Sequence, residues 1–105
     1  MSYMWESLYI AGATGSEGGV VLADEEYKNA CRITLEKCEK YFTITCGVYG
    51  SMVHTAFADF ENYQSLYNDM KQELQKFIDT DTTEDEKLYF YDYFCNKFQF
   101  IGEMR

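Results

Sequence analysis

The sequence predicts an α+β fold: a four-stranded antiparallel β-meander followed by two α-helices packed on one face. Three observations predict it. Residues 30–58 alternate apolar and polar side chains for most of their length, a rhythm that only a pleated strand can use to separate an inward face from a wet one. From Asp59 the apolar spacing lengthens to three and four residues, the signature of a helical stripe. Thr83 and Glu86 then stand at the separation of a capping box, which opens a second helix.

The first strand is expected over residues 5–13, where Trp, Tyr and Ile suit a pleated surface. Residues 14–19 hold three glycines and break it. Their spacing is neither Gly-x-Gly-x-x-Gly nor a P-loop with its Lys-Ser/Thr pair, so a hairpin connection explains them better than a phosphate cradle. The second strand, residues 20–27, is expected to place Val20 and Leu22 on one face. Lys28 and Asn29 supply a tight turn, because asparagine tolerates positive φ. In the third strand Cys31, Ile33 and Leu35 point inward, while Arg32, Thr34 and Glu36 point to a face expected to be wet. After a turn at Glu39 and Lys40, the fourth strand turns Phe42, Ile44, Cys46 and Val48 inward. Val53 and Phe57 fall on the opposite parity, and a β-bulge or bend between Gly47 and Ser51 would return them to the core.

Asp59 is the expected N-cap of the first helix. Its stripe is Tyr63, Leu66, Tyr67, Met70, Leu74, Phe77 and Ile78. Residues 79–86 end it, and residues 87–101 form the second helix, with Leu88, Tyr91, Cys95 and Phe98 expected inward. Tyr89, Phe90, Tyr93, Phe94 and Phe100 fall largely outside that stripe. A helix aromatic on more than one side is either enclosed or offers a sticky face to a partner. A strand is the rival reading for this segment, since aromatics also favour sheets; the cap favours the helix.

A chain of 105 residues, 47% hydrophobic and 18% aromatic, suits a single domain spanning 1–105 with one core. Its 18 acidic and 9 basic side chains give a formal charge of -9, which repels phosphate backbones, so no nucleic-acid partner is expected. The same field favours a basic protein partner. No apolar run is long enough to cross a bilayer and no secretory leader is read at the start, so no membrane partner and a cytoplasmic location are expected. A reducing compartment would keep Cys31, Cys38, Cys46 and Cys95 as thiols, and Cys31 and Cys46 lie on the apolar phase of their strands.

Catalytic signals are sparse. His54 is the sole histidine, which excludes a two-histidine metal site; on one continuous strand it lies too far from Cys46 to form a nucleophile–base pair. Residues 79–85 imitate a calcium loop, but Glu84 replaces its glycine and Phe90 its bidentate glutamate, so capping explains them with fewer assumptions. No catalytic residue, metal or cofactor is assigned.

The leading expectation is a non-enzymatic protein–protein interaction module. Tyr89, Phe90, Tyr93 and Phe94 would anchor the partner, and Asp24, Glu25, Glu26, Asp81, Glu84 and Asp85 would form a steering rim. The ten tyrosines suit this role, since each offers large contact area at low rotamer entropy. The profile resembles that of many bacterial immunity and inhibitor proteins, a likeness of composition and class that implies occlusion of a basic toxin or nuclease. In a second reading the aromatic segment forms a two-fold homodimer interface. The third is a small, homodimeric enzyme or ligand-binding domain whose pocket lies near His54, with Tyr49, Ser51 and Arg32 beside it.

Overall fold

The computed structural model describes residues 4–10 and 12–98. Its elements are β1 (Glu6–Ser7), β2 (Val20–Tyr27), β3 (Cys31–Lys37), β4 (Phe42–Val48), β5 (Met52–Ala58), α1 (Tyr63–Ile78) and α2 (Glu84–Lys97). The strands make one antiparallel sheet in meander order, β1-β2-β3-β4-β5, and the two helices follow it. The architecture is therefore α+β, with five strands where four were expected.

The sheet differs from the expected one at two places, of which the second adds the fifth strand. Of the residues expected in the first strand only Glu6–Ser7 pair with β2 as a strand, and two further bonds join the segment to it, from the Leu8 amide to the Asp24 carbonyl and from the Val21 amide to the Ala13 carbonyl. Residues 14–19 then reverse it as a hairpin, with Thr14 bridged to Val20. The second difference is at Gly47–Ser51. No bulge occurs there; the Ser51 amide donates to the Val48 carbonyl at 2.9 Å and Gly50 takes φ +77°, closing a full reversal between β4 and β5. Val53 thus stays on the far face, 78% exposed, and β5 contributes Met52, Ala56 and Ala58 to the core. A turn of this length preserves residue parity, and the inward residues of β5 include two alanines, so the bulkier Val53 and Phe57 dominate the sequence pattern.

The bulge lies in β2 instead, between Val21 and Ala23. It turns Leu22 outward, and Val20 is exposed as well, so neither belongs to the core. The turn at Lys28 and Asn29 has the expected form, with φ of 53° and 54°.

Register across the strands defines two faces. Cys31, Val48 and Met52 share one row, Ile33, Cys46 and His54 the next, and Leu35, Ile44 and Ala56 a third, all on the helix side. Ile33, Ile44, Met70, Leu74 and Phe94 are fully buried between sheet and helices. Arg32, Gly47 and Val53, then Thr34, Thr45 and Thr55, make rows on the other side. That side is not wet throughout, because the glycine hairpin folds over it. Glu36 is 0% exposed there, accepting from the amides of Glu17 and Gly19 at 3.1 Å, and Asp24 is buried as well.

In α1 the expected stripe packs on the sheet: Leu66, Tyr67, Met70 and Leu74 are buried, and Tyr63 stacks on Phe42 at 3.9 Å. Asp59 is not its N-cap. Its carboxylate accepts from the Glu61 and Asn62 amides, capping the turn that feeds the helix, and Asn62 occupies the cap position. The second helix carries its capping box as expected: Thr83 Oγ1 accepts from the Glu86 amide and the Glu86 carboxylate accepts from the Thr83 amide. Its inward face is broader than the expected one: Phe98 is buried and Tyr91 and Cys95 pack against the core as expected, Phe90 and Phe94 join them, and Leu88 drops out. Leu88 is 63% exposed, whereas Phe94 is 0% exposed and Phe90 stacks on Phe77. Phe90, Phe94 and Phe98 repeat at four-residue steps, and Phe94 meets β5 edge-on at His54. Phe100 and Ile101 lie outside the described residues.

Candidate functional site

Residues one helical turn apart share a face, so Glu73 and Phe77 on α1 look across at Asp85, Tyr89 and Tyr93, and at Glu86 and Phe90, on α2. Between them runs a groove of about 470 Å³, which these residues line together with Lys76, Thr80 and Thr82. Its floor is the Phe77–Phe90 stack, with centroids 4.0 Å apart and planes 5° from parallel. Tyr89, 74% exposed, and the less exposed Tyr93 stand beside it as rings with polar tips. The Tyr93 hydroxyl donates to Glu73 Oε2 at 2.8 Å, and Lys97 Nζ donates to the same oxygen at 2.6 Å. Burial works to raise the Glu73 pKa, but the bonds from Lys97 and Tyr93 outweigh it and hold the carboxyl below its ordinary range. The hydrogen bond to Glu73, followed by that to Tyr93, raises the Lys97 ammonium. Glu86 is held low by the Thr83 amide it accepts from.

Three of the four expected anchors therefore meet in one groove, and the fourth does not. Phe94 is a core residue, with its ring 4.7 Å from that of Phe98 and edge-on to His54. The acidic rim is corrected in the same way. Asp24 is buried in a bidentate pair with Arg32, whose Nε and Nη2 donate at 2.9 and 2.6 Å. Glu25 accepts from the Tyr67 hydroxyl and pairs with Lys71, and Glu26 accepts from the Tyr49 hydroxyl. All three sit on the sheet, whereas Asp81, Glu84 and Asp85 stand exposed at the helix end of the groove. The α1 half of the groove, Glu73 and Phe77, was not singled out from the sequence. The signal was present in the four-residue spacing of Glu73 and Phe77, but Phe77 reads as core stripe alone.

The pocket expected near His54 is divided between two faces. Arg32, Tyr49 and Ser51 line a cavity of about 700 Å³ on the sheet side away from the helices. His54 is on the helix side, with Nε2 2.6 Å from the Phe98 carbonyl; a carbonyl only accepts, so Nε2 carries the proton. The reversal at Gly50 makes Cys46 and His54 direct cross-strand partners, contrary to the separation a continuous strand imposes. No hydrogen bond joins their side chains; His54 bonds instead to the Phe98 carbonyl, and burial pushes the Cys46 thiol pKa far up. Among the described residues no group of three His, Cys, Asp or Glu side chains is placed to hold a metal ion, and no helix is long and apolar enough to cross a membrane.

Tyr49 is held by Glu26, and burial followed by that bond pushes its phenol pKa up to about 12. The Asp24–Arg32 pair was not legible from a two-residue turn at Lys28 and Asn29, which would oppose Arg32 to Glu25. The observed register is centred on Asn29 and opposes Asp24 to Thr34 and Glu26 to Arg32, leaving Arg32 one diagonal step from Asp24.

Comparison with protein-family models, with curated proteins and with solved structures finds no significant match. Function therefore rests on the geometry of this chain.

Proposed function

We propose that this chain is a non-enzymatic protein-binding module that takes a basic segment of another protein into the groove between α1 and α2. The observation that carries the reading is the Phe77–Phe90 stack flanked by Tyr89 and Tyr93, with Asp85 and Glu86 on its wall. An aromatic centre with a charged rim is the anatomy of a protein interface, where tyrosines serve as anchors and charges steer encounter. A partner rich in lysine and arginine meets complementary charge here and in the formal charge of -9 over the whole chain.

The finer form of the proposal is an immunity-type inhibitor that occludes a basic toxin or nuclease. Partner side chains would lie over Tyr89 and Tyr93 as cations on ring faces, and the bulk of this domain would block the partner's own site. A homodimer through the same groove is disfavoured, because it would seat two chains of formal charge -9 against each other.

The test is fluorescence polarisation of a labelled peptide of alternating arginine and leucine, with a glutamate-for-arginine peptide as control. The basic peptide alone should bind, more weakly as salt is raised. The double variant Tyr89→Ala/Tyr93→Ala should lose affinity by roughly tenfold or more while keeping its thermal midpoint. Unchanged affinity in that variant would remove the groove from the account.

A further inference from the structure

The sheet face away from the helices holds a second concavity, of about 700 Å³. Its floor dips at Gly47, the cross-strand neighbour of both Arg32 and Val53, because that position puts no side chain between them. Leu8 and Ile10 form one wall and Val53 the other, all three substantially exposed although large and apolar. The N-terminal arm that carries Leu8 and Ile10 is fixed at both ends. The Leu8 amide bonds to the Asp24 carbonyl, the Val21 amide to the Ala13 carbonyl, and the following hairpin is held by Glu36.

The polar centre is Arg32. A guanidinium has five N–H donors. Asp24 takes one from Nε and one from Nη2, and no further bond joins the others to the described residues. The Asp24 carboxylate, which also accepts from Thr34, is fixed and cancels the Arg32 charge. Glu26, directly opposite Arg32 on β2, adds a negative charge beside it. The local field therefore opposes an anion while hydrogen-bond donors remain available, a combination that suits an uncharged acceptor.

We propose that this cavity is a separate binding site for an uncharged, largely apolar small molecule, held by a carbonyl-type acceptor on the Arg32 guanidinium. Apolar walls supply most of the contact and a few placed donors orient the ligand, the common design of small-molecule sites. The site shares no lining residue with the helix groove, so the two stand or fall separately.

The experiment titrates the full chain with the uncharged dye Nile red, whose ring carbonyl supplies the acceptor, and in parallel with anilinonaphthalene sulfonate, an anionic dye. Nile red should give saturable, blue-shifted emission. Val53→Glu and Ile10→Asp, both at exposed positions that leave the core untouched, should each weaken it by roughly tenfold. Arg32→Leu should weaken it as well, and the two exposed variants keep the test decisive if that one unfolds. Tyr89→Ala/Tyr93→Ala should leave it unchanged. Absence of saturable Nile red binding, loss of binding in the tyrosine variant in place of the cavity variants, or equal affinity for the sulfonate dye would each overturn the proposal.

Discussion

Glu36 shows how a single side chain shapes the free face of the sheet. Its carboxylate, closed from solvent, accepts the Glu17 and Gly19 amides and thereby holds the glycine hairpin against the strands. Gly15 is required by the same contact, since a Cβ there would lie 2.2 Å from Glu36 Cδ. Glu36→Ala leaves the buried Gly19 amide and the Glu17 amide without their acceptor, and urea denaturation should show a loss of about 1–3 kcal/mol. Asp24 supports a pH prediction. The hydrogen bond from Arg32 is the largest influence on it and, with Thr34, lowers its pKa against the opposing effect of burial. The unfolded chain therefore takes up this proton at higher pH than the folded one does. The pair's contribution is full above the unfolded value of about 3.9 and is lost as pH falls through the lower folded value. Thermal midpoints measured from neutral pH down to about pH 3 should fall more steeply in the wild type than in Asp24→Asn, whose side chain does not titrate. Parallel slopes would contradict this role for the pair.

At the scale of elements, α2 separates packing from surface on two sides of one helix. Phe94 is sealed in the core and Tyr89 lies open in the groove. Phe94→Ala should cost about 3–5 kcal/mol in urea denaturation, and Tyr89→Ala should change stability by about 0.5 kcal/mol or less. Equal losses would mean that the groove is structural. The same helix explains what the sequence could disclose. Local chemistry was legible: the capping box at Thr83 and Glu86, the primed turn at Lys28 and Asn29, and the α1 stripe all depend on residues close in the chain. The inward face of α2 was legible in part: Tyr91, Cys95 and Phe98 turn to the core as their spacing indicates, whereas only tertiary packing adds Phe90 and Phe94 and leaves Leu88 out. The β4–β5 reversal was hidden for a related reason. Two-residue periodicity survives a turn of even parity shift, and a core filled partly by alanines yields the visible pattern to Val53 and Phe57. The groove was half legible, through Tyr89, Phe90 and Tyr93, whereas its α1 wall required knowing which helices meet.

For the molecule as a whole, the controlling quantity is a formal charge of -9 over 105 residues. Copies of such a chain repel one another, and the acidic groove wall makes self-docking worse. Sedimentation at low micromolar concentration should give a monomer, and a stable dimer would shift the aromatic surface from a foreign partner to the chain itself. The groove floor, Phe77 and Phe90, packs against the core, whereas its anchors Tyr89 and Tyr93 stand outside it. Binding should accordingly be separable from folding. The most direct measurement is a two-dimensional amide NMR titration of the full chain with the arginine–leucine peptide. The account predicts shifts concentrated at Glu73, Phe77, Asp85, Tyr89, Phe90 and Tyr93, with the amides of β3 and β4 unmoved. Shifts centred on the sheet, or no shifts at saturating peptide, would contradict it.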